Sequence, residues 1–323
     1  MNTKKLFLII TIYLISSISI FSFEKVGTTS FQFLKVITTA RAAALAGAYS
    51  TISNSSDAVF WNPSALSKLE GINATVGYAN WFIDIAHYSF SVSYTVEGIG
   101  TFGFLGLLTD VGEIEETKVS ALGFVNGVYN PGLTGKIIEP RASVFGLSFG
   151  KALNDRFSFG LTVKYAREDL VYESADAIIF DGGFIYNTAF KSIVIGATLR
   201  HFGPDVKFID ESYPLPQTFN IGISSYLLSP DDPLITTAGN HSLLLSYDLI
   251  QPRDYDQQHS VGLEYSFDNI IFLRGGYLLN SDQERINAGV GINYKGYKID
   301  YAFSDYGEYL DSVHRVSIGL GIN

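Results

Sequence analysis

A strict alternation of apolar and polar side chains restricts the fold of this chain more than any other feature. Along residues 156–165 every second side chain is apolar or aromatic, and those between are Arg, Ser, Gly, Thr and Lys. Ten such residues match the length that a tilted β-strand needs to cross a bilayer. The alternation recurs from about residue 72 onward, and no stretch there has the period of a long amphipathic helix. The chain therefore predicts an all-β fold built from strands of membrane-spanning length.

About fourteen strands are predicted, and the polar face of each is made mostly of Ser, Gly, Thr and Asn. The predicted ranges are 72–80, 87–96, 99–108, 141–150, 156–166, 177–187, 192–201, 217–228, 241–250, 258–267, 269–278, 285–294, 296–303 and 313–322. A soluble sandwich, the alternative, would turn long charged side chains toward water. We therefore predict a transmembrane antiparallel β-barrel, with the small polar face in the lumen and the aromatic face in lipid. Closure is expected because lipid cannot satisfy open backbone N–H and C=O groups.

The predicted connections alternate in length, which is typical of outer-membrane barrels. Short turns such as 97–98 and 188–191 alternate with longer connections such as 109–140 and 202–216. The segment 229–240 is the exception, because it is long where a short turn is due. An even number of strands places both ends of the wall on the periplasmic side.

Residues 1–22 have the pattern of a signal peptide. Lys4 and Lys5 precede an apolar run over residues 6–15, and serines follow it. The alternative interpretation is a single membrane anchor. No later stretch has the 18 apolar residues of a membrane helix. We therefore predict export to the outer membrane of a bacterial cell.

Composition excludes several other classes of protein. A net charge of -10 argues against a nucleic-acid partner, and the absence of Cys removes disulfides, thiolate metal sites and cysteine nucleophiles. Neighbouring Ser and His residues, such as His241 and Ser242, lack any hydrolase motif. Acidic side chains at 113, 115 and 116 are interpreted as a solvated loop face. We predict no catalytic residue, no metal site and no cofactor.

Residues 23–70 are predicted to form a plug inside the lumen, ahead of a barrel over residues 71–323. The segment does not alternate and is rich in small residues. Gly47 would let the backbone approach the wall closely. Asp57 is a candidate cap, and Asn62-Pro63 reads as a turn before a second short helical piece.

The same segment resembles the start of the PorV/PorQ family and, more distantly, of the FadL long-chain fatty-acid transporters. The resemblance is carried by Ala40-Arg41, Gly47-Ala48-Tyr49, Asp57-Ala58 and the run from Trp61 to Leu66. Toward the other end, segments 273–277, 300–303 and 314–319 match PorV/PorQ strand patterns. The sequence departs from the family pattern at Leu45-Ala46 and Ser64, and it ends in Asn323 rather than in an aromatic residue.

The resemblance implies a fourteen-stranded barrel with an N-terminal hatch, with outer-membrane lipid and the barrel assembly machinery as partners. FadL-like members take up hydrophobic molecules. We therefore expect this barrel to pass hydrophobic or small amphipathic ligands, with a plug held by Arg41, Asp57 and Asn62-Pro63. PorV-like members serve type IX secretion. The alternative function is therefore a surface adaptor that binds exported, secreted proteins and moves no solute. A structural barrel with no ligand is the third hypothesis.

Two further features are left open by the sequence. Gly98, Gly100, Gly103 and Gly106 punctuate one predicted strand, and they mark either a lateral window in the wall or an adjustment to curvature or to a close-packed plug. The apolar segment 119–128 lies inside a long connection. It is the rim of a capture site, a docking surface for a partner protein or an inward constriction.

Overall fold

The structure is a computed structural model that describes residues 26–281, 286–307, 310 and 312–322. The predicted signal peptide at 1–22 lies outside the described residues. The strands, in chain order, are β1 (Ile72–Asn80), β2 (Ala86–Val96), β3 (Gly100–Asp110), β4 (Ile114–Val125), β5 (Val128–Ile138), β6 (Arg141–Ala152), β7 (Phe157–Asp169), β8 (Ser174–Asn187), β9 (Val194–Phe202), β10 (Val206–Lys207), β11 (Ser212–Tyr213), β12 (Thr218–Ser229), β13 (Thr236–Thr237), β14 (His241–Pro252), β15 (Gln258–Phe267), β16 (Ile271–Leu279), β17 (Ile286–Tyr294), β18 (Tyr297–Ser304) and β19 (Val313–Ile322).

Fourteen of these strands form one closed antiparallel wall: β1 to β3, β6 to β9, β12 and β14 to β19. Each pairs with the next along the chain. The ring closes where β1 pairs with β19, from Ile72 opposite Ile322 to Asn80 opposite His314. Closure leaves the wall without a free strand edge, as a lipid environment requires. The predicted antiparallel barrel of about fourteen strands is confirmed.

The pleat of each strand sorts its side chains as the sequence predicts. In β2 the inward Ser91 is 1% exposed, whereas the outward Tyr94 is 56% exposed. Successive side chains of a strand point to opposite faces, so the register of β2 places its Tyr and Phe side chains outside and its serines inside. The barrel therefore carries an aromatic and aliphatic outer belt around a lumen of small polar side chains.

Three connections contain strands that the sequence pattern did not predict. The predicted connection 109–140 contains a hairpin of β4 and β5, which turns at Asn126-Gly127. Both turn residues have positive φ (51° and 82°), the geometry of a two-residue type I′ turn. Short pairings also occur within 203–217 (β10 with β11) and 230–240 (β13 with β12). Prediction failed in these places because the pairs are irregular or only two residues long.

The two ends of the barrel differ, and we name them by their connections. At the turn end the connections are 97–99, 153–156, 188–193, 230–240, 268–270 and 295–296, and β1 begins and β19 ends there. At the loop end they are 81–85, 111–140, 170–173, 203–217, 253–257, 280–285 and 305–312. The predicted asymmetry of connection length is present, including the exception at 230–240.

Residues 26–70 run through the lumen from the loop end to the turn end. They contain the short helix α1 (Ala40–Ala44) and three 3-10 turns, Gln32–Lys35, Ser56–Phe60 and Pro63–Lys68. The residues of α1 are buried because the chain here is almost all alanine and fits close to the wall. We call residues 38–68 the plug core. No helix among the described residues is long and apolar enough to cross a membrane.

Candidate functional site

The plug core fits the wall through glycines that face the lumen. A Cβ added to Gly276 would lie 2.5 Å from the nitrogen of Ala46 and 2.6 Å from the carbonyl carbon of Leu45. At Gly150 it would lie 2.7 Å from the carbonyl oxygen of Pro63. Plug atoms come within 3.0 Å of the Cβ position at Gly103, Gly160, Gly183, Gly196, Gly222, Gly262 and Gly289 as well. Backbone and side-chain atoms of the plug therefore pack directly on the wall around much of the lumen, which leaves the plug little room to shift.

Arg41 attaches α1 to the wall through a buried ion pair. Its Nη2 lies 2.6 Å from Oε1 of Glu264 on β15, and its Nε donates to Oε2 of the same carboxylate at 2.7 Å. Arg274 on β16 donates to that carboxylate and to Asp300 on β18, both at 2.6 Å. These side chains are nearly buried, so each charge depends on its partners for compensation. The network joins the plug to three wall strands.

Asn62 and Pro63 form a second junction with the wall. Asn62 Oδ1 accepts from the N–H of Ser64, which caps the last 3-10 turn, and Pro63 fills the first position of that turn. The side-chain amide of Asn62 donates to the carbonyl of Ser50 at 2.7 Å and to that of Phe184 on β8 at 3.2 Å. One buried side chain therefore ties two parts of the plug to the wall.

The other two predicted plug residues lie within the plug rather than against the wall. Asp57 is buried, and its carboxylate accepts from the Tyr49 hydroxyl at 3.3 Å. Gly47 has φ of +80°, and its Cβ position would lie 3.5 Å from the Trp61 ring. The predicted plug residues thus share the lumen but form four separate contacts. Their roles in gating stay a prediction.

The four predicted window residues lie in or beside β3, whose pairing with β2 and β6 runs without a register shift. Gly98 is in the turn before the strand, and Gly100 is at its first residue. Gly103 faces Leu66 of the plug core, and Gly106 lies under the outward ring of Phe90. In this conformation the glycines accommodate neighbouring groups, and a lateral window at them stays a prediction.

A cavity of about 680 Å³ occupies the loop end of the lumen, above the plug core. Its floor includes Gly47 and Trp61, and its sides include Trp81, Ile250 and Leu278. Most of the exposed lining is apolar or aromatic, and polar and charged side chains, among them Lys35, Arg141, Glu168 and Arg200, lie within it. A cavity of this size and polarity suits a small hydrophobic or amphipathic molecule.

A β-bulge places two cationic or ionisable side chains beside this cavity. Pairing of β8 with β9 shifts between Phe180 and Gly182, so that Arg200 and His201 together oppose one residue of β8. His201 has φ of +59°, and its backbone N–H donates to Asp181 at 2.8 Å. Both side chains line the cavity as a result. The sequence carried a signal for this, since two consecutive polar residues interrupt the alternation of the strand.

Arg200 lacks a carboxylate partner among the ion pairs of the described residues. Asp181, the nearby acid, pairs instead with Lys164. The guanidinium of Arg200 lies over the Trp61 ring at 4.8 Å and donates one hydrogen bond of 3.4 Å to the carbonyl of Phe60. Its Nε is buried and has no hydrogen-bond partner within the described part of the chain. A guanidinium in this state is able to donate hydrogen bonds to an anionic or polar group of a ligand.

The β4–β5 hairpin presents apolar side chains to solvent. Val119, Phe124 and Val128 are 84%, 76% and 71% exposed, and residues 119–135 include no charged side chain. At its base, Glu116 accepts from Thr134 at 2.6 Å and pairs with Lys118 at 3.2 Å. The hairpin does not line the cavity, which removes the interpretation of segment 119–128 as an inward constriction in this conformation.

Among the described residues, no group of three or more His, Asp or Glu could hold a metal ion.

Solved structures with a similar fold include a hydrocarbon channel, a toluene transporter and a FadL homologue. The CymD monoaromatic hydrocarbon channel aligns with a TM-score of 0.60 and 12% identity, covering 88% of this chain and 98% of its own. The toluene transporter TodX of P. putida gives 0.57 and 13%, covering 88% and 98%. A FadL homologue of Pseudomonas aeruginosa gives 0.54 and 12%, covering 89% and 99%.

Neither a protein-family model nor a curated protein matches the sequence. At identities of 12–13% the structural likeness shows a shared fold. The FadL-like part of the sequence resemblance is therefore supported at the level of fold. The resemblance to PorV/PorQ stays a prediction.

Proposed function

We propose that this protein passes hydrophobic or small amphipathic molecules across the outer membrane. The observation that carries the proposal is the apolar cavity at the loop end, closed below by a plug that packs against the wall. A plugged lumen stops free diffusion of solutes, while the cavity offers apolar surface to a ligand. The neighbours named as hydrocarbon channels support the same function for this fold.

The two tryptophans give a direct test, because the chain has only Trp61 and Trp81 and both line the cavity. Titration with bromobenzene, a heavy-atom quencher, should quench their fluorescence saturably in detergent-solubilised protein. Ala142 lines the cavity, so Ala142→Phe should weaken the quenching at least tenfold, because the larger side chain fills part of the cavity. The same substitution at the outward Ala288 is the matched control. Quenching that never saturates, or that ignores Ala142→Phe, would remove the proposed site.

The position of Arg200 beside the cavity predicts a preference for amphipathic ligands that carry an anionic group. A hydrogen bond to a charged group contributes about 1.5–3 kcal/mol, which corresponds to roughly tenfold or more in affinity. Arg200→Met should therefore weaken binding of a short alkyl carboxylate by about that factor and leave bromobenzene nearly unchanged. Equal effects on both ligands would mean that Arg200 acts only through packing on Trp61.

We propose, further, that release proceeds sideways through the wall at β3, at the glycine positions predicted from the sequence. Since β3 is fully paired here, this route requires that its ladder with β2 opens. Val92 and Phe104 face each other on the outer surface, so Val92→Cys with Phe104→Cys would lock the ladder. Release of a fluorescent hydrophobic probe should slow on oxidation and recover on reduction. Unchanged release would place the exit elsewhere.

The exposed hairpin favours a second candidate function, that of a surface adaptor for exported proteins. Apolar side chains held in solvent are typical of protein-binding surfaces. Pull-down with the intact barrel should then recover secreted proteins, and a barrel with residues 119–133 replaced by Gly-Ser repeats should not. Equal recovery by both barrels would remove the hairpin from this role.

A further inference from the structure

The segment from Val26 to Ile37, which we call the strap, crosses the loop end before the chain enters the plug core. Half of its residues line the cavity: Val26, Gln32, Phe33, Lys35, Val36 and Ile37. On this side the cavity is therefore bounded by a piece of the N-terminal chain rather than by a wall strand. The way in which the strap is held decides whether the cavity can open there.

One buried carboxylate accepts three hydrogen bonds from the strap. Asp254 lies in the β14–β15 connection and is 2% exposed. Its Oδ2 accepts from Thr29 at 2.7 Å, from Lys35 at 2.8 Å and from Gln32 at 3.1 Å. Ser30 supplies a second attachment, because its N–H donates to the carbonyl of Pro214 at 2.9 Å and its hydroxyl lies 3.3 Å from the carbonyls of Tyr213 and Pro214. We call the three contacts of Asp254, which include the one ion pair of the strap among the described residues, the latch.

The apolar attachment of the strap is of a kind that a ligand can replace. Phe31 and Phe33 are buried in the cluster that also contains Leu34, and Phe33 lies against the cavity. Apolar contacts are not directional, so a hydrophobic molecule in the cavity can substitute for them. The strap in this conformation therefore occupies apolar surface that a ligand would otherwise contact.

The plug core below is held differently. Its backbone meets wall glycines at distances that exclude even a methyl group, and Arg41 fixes it through a buried ion pair. The boundary between the two parts is anchored to β19. Arg315 donates to the carbonyl of Ile37 at 2.7 Å, and Ser317 accepts from the N–H of Ala40 at 2.8 Å. A swing of the strap about residues 37–39 would separate its buried aromatic and leucine side chains from Val59 and Leu66 of the plug core. It would not require any change in the contacts of the core with the wall glycines and Glu264.

We propose that the strap is a lid, latched by Asp254, that opens to admit ligand into the cavity while the plug core stays fixed. The lid rests on the proposed function, because its opening admits a ligand only if the cavity binds one. Movement is thereby assigned to one part of the N-terminal segment and immobility to the other. Each half of the statement can be tested separately.

Engineered disulfides test the movement, because the chain has no Cys of its own. Thr29→Cys with Asp254→Cys ties the lid down when oxidised and lacks the latch when reduced, since the Thr29 hydroxyl lies 2.7 Å from the Asp254 carboxylate. The matched control, Ser56→Cys with Ser91→Cys, ties the plug core to β2, where the two hydroxyls are 3.0 Å apart. Both variants are reconstituted in liposomes, and the binding of bromobenzene to Trp61 and Trp81 is followed by stopped flow.

Oxidation of the lid pair should slow binding at least tenfold, with recovery on reduction, and oxidation of the core pair should leave the rate within twofold. An unchanged rate in the oxidised lid variant would overturn the proposal. So would equal slowing in the oxidised core variant, because the core would then be the moving part.

A second measurement does not depend on ligand at all. Leu34→Cys places a thiol in the buried face of the strap, and its reaction with an impermeant maleimide reports opening. Adding Asp254→Asn should speed this reaction at least fivefold, whereas Ser56→Cys in the plug core should react slowly in both backgrounds. Equal rates with and without Asp254→Asn would overturn the latch. If bromobenzene never binds while labelling still responds to Asp254→Asn, the proposed function fails and the lid stands.

Discussion

Adjacent glycines on β16 offer a sharp test of how tightly the plug fits the wall. Gly276 faces the lumen, where an added Cβ would lie 2.5–2.8 Å from three backbone atoms of the plug. Gly275 faces outward, and the nearest atom to its Cβ position, the carbonyl oxygen of Asn287, is 4.0 Å away. Alanine at the two positions therefore compares the same change in the same strand with and without the plug as neighbour.

The expected magnitude follows from these distances. Ordinary contacts between heavy atoms begin at about 3.5 Å, so Gly276→Ala displaces the end of α1 by roughly 1 Å. Overpacking of this kind costs about 1–3 kcal/mol. Gly275→Ala restricts the unfolded chain and, at an unstrained position, is expected to stabilise by about 0.4–1 kcal/mol. The two variants should differ in stability by about 2 kcal/mol, with Gly276→Ala the less stable.

The assay is unfolding by guanidinium in detergent micelles, followed by tryptophan fluorescence, since Trp61 lies in the plug and Trp81 in the loop-end connection. Gly276→Ala should lower the unfolding midpoint relative to Gly275→Ala, and it should also make the plug more accessible to protease. A midpoint for Gly276→Ala equal to or above that of Gly275→Ala would show that the plug moves easily, contrary to the packing described.

Three further predictions concern the attachments of the plug, the lid and the hairpin. Arg41→Met removes one partner from a buried charge network, which should cost about 3–5 kcal/mol and speed proteolysis of the plug, whereas the exposed Arg141→Met should change neither. Burial alone would raise the pKa of Asp254, but hydrogen bonds from Lys35, Thr29 and Gln32 lower it below its ordinary value of 3.8. The latch should therefore be complete above that pH and weaken as the pH falls through the lowered pKa. Stopped-flow binding of bromobenzene should become faster over that range in the wild-type protein but not in Asp254→Asn, and equal pH profiles of the two proteins would contradict the prediction. Replacement of residues 119–133 by Gly-Ser repeats should leave the unfolding midpoint of the barrel unchanged, because the hairpin packs on neither the cavity nor the plug; a lowered midpoint would show that it supports the wall.

The wall was predictable because its information is local. A period of two decides which face of a strand is apolar, and turn residues decide where the strand ends. The predicted ranges 241–250 and 258–267, for example, match β14 and β15 to within two residues. The hairpin was missed although Asn126-Gly127 is a strong two-residue turn signal, because neither flanking run alternates cleanly.

The plug contacts and the cavity were not predictable in the same way. Arg41 was singled out, but its partner Glu264 lies 223 positions along the chain, and no local pattern links the two. From the sequence, glycines in the strands indicate kinks or curvature of the wall. The plug atoms that face them in the lumen become known only from the structure. The bulge at Arg200 and His201 depends on the register between β8 and β9, which a single strand does not reveal.

The order of the chain also bears on how such a cylinder is built. The seam between β1 and β19 joins residues 250 positions apart, so its loop-closure entropy is the largest of any wall pairing. The plug precedes every wall strand in the sequence and touches strands on both halves of the circumference. We expect the plug to act as a template on which the wall strands assemble before β1 and β19 pair.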